Sequence, residues 1–149
     1  MKTKLKELKT KLTLTIRDLE GRVLEVEDDC VFTTVGKQQL GDLMRGDAAG
    51  VKITHYALGS NGSTPTAADT ALGTELFREA IDTTIRTGTT VKITCILEYA
   101  EGNGGGSVVY REAGLFNDPA AGQMYLRANF PDKTKTSSVQ WTLEFQIEF

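Results

Sequence analysis

The sequence predicts a mainly β protein, an antiparallel β-sandwich with one or two short helices, and three observations carry that prediction. At the end of the chain Val139, Trp141, Leu143, Phe145, Ile147 and Phe149 alternate without a break with Gln140, Thr142, Glu144, Gln146 and Glu148. One face is apolar and the other polar, as expected of an antiparallel strand that covers a core on one side. Shorter alternating runs recur along the chain, separated by turns rich in Gly, Asn and Asp. Helical spacing is confined to two short stretches, the Lys-rich start and "TTVGKQQLGDLMRG".

Taken in order, residues 1–11 carry Lys2, Lys4, Lys6, Lys9 and Lys11 against one acid, Glu7, with Leu5, Leu8 and Leu12 spaced as on a helix. This reads as a basic N-terminal arm or a short helical turn. From Leu12 the period becomes two: Leu12, Leu14 and Ile16 alternate with Thr13, Thr15 and Arg17. "RDLEG" then turns the chain and "RVLEVED" returns it, predicting a hairpin. In "TTVGKQQLGDLMRG", Leu40, Leu43 and Met44 share a helical face, with Thr33 or Thr34 as the cap and Gly46 as the stop. "VKITHYALGS" reads as a strand, and "NGSTPTAADTALGTE" as a long turn with room for one helical turn after Asp69. Residues 79–86 and 89–99 form two runs about "TGT", "EGNGGG" is a flexible loop, and residues 108–116, 123–130 and 138–149 complete the strands.

The 149 residues fit one domain, which would bury roughly 70% of its unfolded surface. With 17 Lys plus Arg against 20 Asp plus Glu, no global field favours nucleic acid or an anionic membrane. No apolar run approaches the ~20 residues that span a bilayer, and the start lacks the apolar centre of a secretory signal. The chain is therefore expected to stay soluble on the cytoplasmic side. Cys30 and Cys95 lack the spacing of a zinc site; both read as reduced, with pairing between them left open.

Candidate chemistry is sparse, and no cofactor or metal is expected. His55 is the only histidine, so a Ser/His/Asp or Cys/His mechanism must use it. It sits within a predicted strand and no nucleophile-elbow sequence occurs, so a hydrogen-bonded structural histidine is the preferred reading. The acidic run at residues 25–29 lacks the alternating donors and glycine of a calcium loop. "GSNGS" and "EGNGGG" lack the Lys-Ser/Thr ending of a phosphate loop. Asn61-Gly62-Ser63 fits a glycosylation pattern that is common by chance. The five arm lysines, without interleaved aromatics, suit docking onto a partner protein better than nucleic acid.

Two Arg-Glu dipeptides stand out, in "ELFREA" and in "VYREAG". Adjacent strand residues point to opposite faces, so Arg111 and Glu112 each need a partner elsewhere. The expected partners lie in the first dipeptide: Arg78 with Glu112, or Glu79 with Arg111, as structural ion pairs that fix strand register rather than as catalytic groups.

The order "ALGSNGSTPTAADTAL", then "ELFR", then "REAGLF", a Gly turn, "MYLRANF" and a final alternating strand resembles bacteriophage tail structural proteins over about residues 31–149. The likeness is to collar or attachment domains of tail fibres and to small stand-alone virion proteins. It implies a mainly β virion component of a tail, baseplate or collar, non-enzymatic and without cofactor or metal, that meets other virion proteins in a symmetric, homo-oligomeric assembly. Two features depart from a fibre: the chain carries its own basic arm and hairpin, and it lacks a shaft and receptor-binding tip. A capsid or neck decoration protein is the rival within the virion. A carbohydrate-binding sandwich would need exposed aromatics, for which Tyr56, Tyr110 and Tyr125 are the candidates. A small hydrolase would need His55.

Overall fold

The computed structural model describes residues 8–149, so Lys2, Lys4 and Lys6 of the predicted arm lie outside the described residues. The elements run β1 (Lys9–Asp18), β2 (Val23–Asp29), β3 (Val31–Phe32), α1 (Thr34–Arg45), β4 (His55–Gly59), β5 (Glu75–Ala80), β6 (Thr83–Thr87), β7 (Thr90–Leu97), β8 (Ser107–Phe116), β9 (Met124–Thr136) and β10 (Val139–Glu148). They form two five-stranded sheets, ordered β2-β1-β10-β7-β6 and β3-β9-β8-β4-β5. Every pairing is antiparallel. The protein is a β-sandwich with one helix among the described residues.

The closing alternation does what its period requires. Trp141, Leu143 and Phe145 are fully buried at the centre of the first sheet, with Leu12 and Leu14 of β1 on one side and Ile93, Cys95 and Leu97 of β7 on the other. The second sheet answers with Tyr56, Leu58, Tyr110, Leu115 and Leu126. The Tyr110 ring meets Trp141 edge-on at 5.6 Å between centroids, joining the two layers.

Helix α1 begins where the sequence places it. Thr33 is the N-cap, its hydroxyl oxygen accepting the Gly36 N–H at 2.9 Å, and Gly46 closes the helix at φ 70°. Gly36 is needed for packing, since a Cβ there would stand 2.7 Å from the Tyr125 Cα. The predicted apolar face is only partly used: Leu40 packs on the core, whereas Met44 is 82% exposed.

Several boundaries move. Lys9 and Lys11 belong to β1 rather than to an arm, because they pair with Glu148 and Gln146 and extend the ladder of the first sheet. Strand β4 starts only at His55, and residues 75–80 form a separate strand of the second sheet before the chain crosses to β6 in the first. No helical turn follows Asp69. Strand β9 continues through Pro131 to Thr136. Beyond Arg127 its ladder partner among the described residues is β8 alone, and a strand with one open side tolerates proline.

Candidate functional site

The ladder between β8 and β9 slips between Tyr110, opposite Lys133, and Glu112, opposite Asn129, so that Arg111 of β8 faces the longer stretch Phe130–Asp132 of β9. This slip reverses the alternation. Tyr110 faces the core, and so do Ala113 and Leu115, while Glu112, Gly114 and Phe116 turn to the outer face of the second sheet. Arg127, opposite Gly114, lies on that same face. The outer face is not open to solvent there, because the loop of residues 60–74 folds across it. Leu72 of the loop packs against Ala57, Phe116 and Met124 as a small second core.

Glu112 is fully buried under this loop and every one of its neighbours is a donor. Its Oε1 accepts the N–H groups of Thr74 at 2.8 Å and Asn61 at 3.2 Å; its Oε2 accepts Gly73 N–H at 2.9 Å and Arg127 Nε at 3.0 Å. Arg127 Nη2 stands 2.9 Å from the same Oε2. The remaining donors of Arg127, only 3% exposed, reach Asp69 Oδ2 at 3.0 Å and Ser63 Oγ at 3.2 Å. Burial pushes the Asp69 carboxyl upward, but hydrogen bonds from Thr66 and Arg127 outweigh it, and the group sits below the usual carboxylate range. Gly59 is required beside this carboxylate, since a Cβ there would collide with the Thr74 carbonyl and with Glu112. The result is a charge lock that holds a long irregular loop in one conformation.

The expected cross-pairs are corrected. Glu112 pairs with Arg127, not Arg78, because β4 lies between β5 and β8 and separates those residues by two strand spacings. Arg78 instead bonds Glu75 at 2.5 Å, stacks 3.8 Å above the Phe116 ring and donates to the carbonyls of Asp118 and Ala121. Glu79 faces the other way and accepts the Tyr56 hydroxyl at 3.0 Å, so it cannot meet Arg111. Arg111, at the slip, reaches Asp132 at 2.7 Å and donates to the Ser60 carbonyl at 3.2 Å. The residues that sequence reasoning missed are Arg127, Asp69 and Asp132. Arg127 carried a readable signal, a charge inside the apolar run "MYLRANF". Asp69 and Asp132 carried none.

At one end of the sandwich an apolar cleft of about 470 Å³ opens between α1 and the first sheet. Leu40, Ile53, Ile81, Val91, Ile147 and Phe149 contribute to its wall, and Lys52 is its single charged residue. Phe149 and Leu43, on its rim, are among the exposed large apolar residues. Leu19, Val23 and Leu24, at the hairpin of the opposite end, are too. Among the described residues each sheet also ends in strands with an unpaired side, β2 and β6 in the first and β3 and β5 in the second. Open strand edges and exposed apolar side chains are surfaces that another chain can cover.

Among the described residues no group of three His, Cys, Asp or Glu is placed to hold a metal ion, and no helix is long and apolar enough to cross a membrane. His55 Nδ1 lies 2.8 Å from the Thr54 hydroxyl. Cys30 and Cys95 are both free and buried. Burial, with the nearby Asp29 and Asp28 charges, pushes the Cys30 thiol up to about 12. Tyr56, Tyr110 and Tyr125, the candidates for a glycan platform, are at most 2% exposed; their rings fill the core. Asn61 of the glycosylation tripeptide packs against Gly73. Lys135 is buried, and among the described residues its Nζ has no carboxylate partner but donates to the Tyr99 and Thr136 carbonyls at 3.1 and 3.0 Å.

No family model, curated protein or solved structure matches this chain.

Proposed function

We propose that this chain is a non-enzymatic structural protein of a tailed-phage virion, a tail, baseplate or collar piece that acts by protein-protein assembly. One observation supports the reading most. Of the three stretches that carry the resemblance, residues 57–72 and 75–78 follow one another and residues 111–116 lie more than 30 residues further on, yet all three meet in one unit around the outer face of the second sheet. Glu112 of "REAGLF" closes the loop that contains "STPTAADTAL", and Arg78 of "ELFR" stacks on Phe116 of "REAGLF". An order of motifs with such a shared mechanical reason is a better guide than any motif alone. The open strand edges and the apolar cleft give such a protein surfaces for neighbours.

The test is the protein content of purified particles from the host that encodes the chain. The reading expects this chain at a fixed copy number per particle, with antibody label on the tail, baseplate or collar. Label on the capsid or neck would favour a decoration protein. Absence from particles that are otherwise complete would refute the proposal.

A further inference from the structure

Two asparagines of the chain are followed by glycine, in Asn61-Gly62 and Asn103-Gly104. An asparagine amide in this setting is open to attack by the next backbone nitrogen. Glycine has no side chain to hinder the approach and leaves the peptide free to turn. Exposure does not separate the two sites, since both asparagines are half-buried and both glycines exposed. Nor does polarisation of the amide. Asn61 Oδ1 accepts Ser63 N–H at 2.8 Å and Asn103 Oδ1 accepts Gly105 N–H at 3.0 Å, so each has a donor aimed where negative charge would build up.

The two differ in what must move for a ring to close. Asn61 belongs to the locked loop. Its N–H donates to Glu112 Oε1 at 3.2 Å and its carbonyl accepts Arg127 Nη2 at 3.4 Å, while the Gly62 carbonyl accepts Asn129 Nδ2 at 3.1 Å. Its side-chain amide is packed so tightly on Gly73 that a Cβ there would collide with it. Closing a ring at Asn61 would turn a peptide held by two buried charges. Asn103 instead starts a surface turn of glycines. Gly106 N–H donates to its carbonyl at 2.9 Å, and Gly104 and Gly105, at φ 60° and 80°, occupy the middle of the turn. Among the described residues, these two bonds of Asn103 are both internal to the turn, and water can replace them. The anchors of the loop, Lys135 on the Tyr99 carbonyl and the Tyr110 hydroxyl on the Gly102 carbonyl, lie before the turn and leave its tip free to rearrange.

We infer that Asn103 is a site of covalent self-modification, converted through a succinimide to isoaspartate and aspartate, while the Glu112–Arg127 lock keeps Asn61 unreactive. The Gly104 nitrogen loses its proton and bonds to Asn103 Cγ, the Cγ–Nδ2 bond breaks, and ammonia leaves. Water then adds to one of the two ring carbonyls. Opening at Cγ gives aspartate, and opening at the main-chain carbonyl gives isoaspartate, with Cβ inserted into the backbone. Water is the only co-reactant. Either product places a new carboxylate in the loop that already carries Glu98 and Glu101.

The reaction is read in purified protein, so its failure is separate from that of the particle-composition test. The full chain, held at pH 8 and followed by peptide mapping, should gain one mass unit in the peptide that contains Asn103, and an isoaspartyl methyltransferase should label that peptide. In the folded chain Asn103 should convert about tenfold or more faster than Asn61, and in denaturant the two rates should agree within about threefold. Glu112→Gln, which loosens the loop, should raise the Asn61 rate and leave that of Asn103 unchanged. Equal rates in the folded chain, a faster Asn61, a difference that persists in denaturant, or an Asn61 rate unmoved by Glu112→Gln would each overturn the inference.

Discussion

Replacing Glu112 by Gln alters one atom of a fully buried side chain and should cost far more than a surface change. The carboxylate accepts three backbone N–H groups and Arg127. An amide of the same shape has one accepting oxygen. Whichever way it turns, its NH₂ faces donors, Gly73 and Arg127 in one orientation or Thr74 and Asn61 in the other. Arg127, 3% exposed, also loses its fully buried counter-charge and keeps only Asp69. Removing one partner of a buried pair costs about 3–5 kcal/mol. For a chain of this size each kcal/mol moves the midpoint by about 2–4 °C, so the melting temperature should fall by roughly 6–20 °C. Thermal unfolding followed by circular dichroism measures this directly. The double change Glu112→Gln/Arg127→Met removes both charges and should recover part of the loss. A single variant within about 2 °C of the unchanged protein would refute the argument that this lock is a buried, fully used charge pair.

Three further outcomes follow from the same geometry. Gly59→Ala should destabilise severely, since its Cβ collides with a backbone carbonyl and with Glu112; a soluble variant of unchanged melting temperature would contradict the close approach of residues 59 and 74. Asp69 is held below its ordinary pKa, so its contribution is present above the unfolded value of about 3.8 and is lost as pH falls through the lower folded value. Asp69→Asn should therefore cost about 1.5–3 kcal/mol at pH 7 and progressively less in acid; a penalty independent of pH would exclude this origin. Because burial keeps Cys30 and Cys95 as thiols, labelling with a disulfide reagent at pH 8 should be negligible in the folded chain and reach two thiols in denaturant. Rapid labelling of the native protein would refute their placement in the core.

Strands with a strict period of two were readable residue by residue. The inward set Trp141, Leu143, Phe145 and Ile147 is buried as its alternation demanded, and the hairpin of β1 and β2 turns where Asp18 and Gly21 sit. Helix α1 was legible for a similar reason: its start and stop signals, Thr33 and Gly46, act on their own backbone neighbours. Strand β5 was not. Its sequence "ELFREA" has no clean alternation, because its outer face is partly covered by Arg78 stacking on Phe116.

The anomaly of Arg111 and Glu112 was visible in the sequence. Their partners were not. A slip of the β8–β9 ladder at Arg111 reversed the faces of β8, and no local propensity announces where a ladder will slip. Strand order then decided the rest: β4 came between Arg78 and Glu112, while β9, adjacent to β8, brought Arg127 within 3.0 Å. Local periodicity determined which segments become strands and which side chains seek the core, because those preferences act over a few residues. Which charge meets which was decided only when the two sheets closed and the loop folded over them, because a pair 15 residues apart and another 58 apart have no local cause.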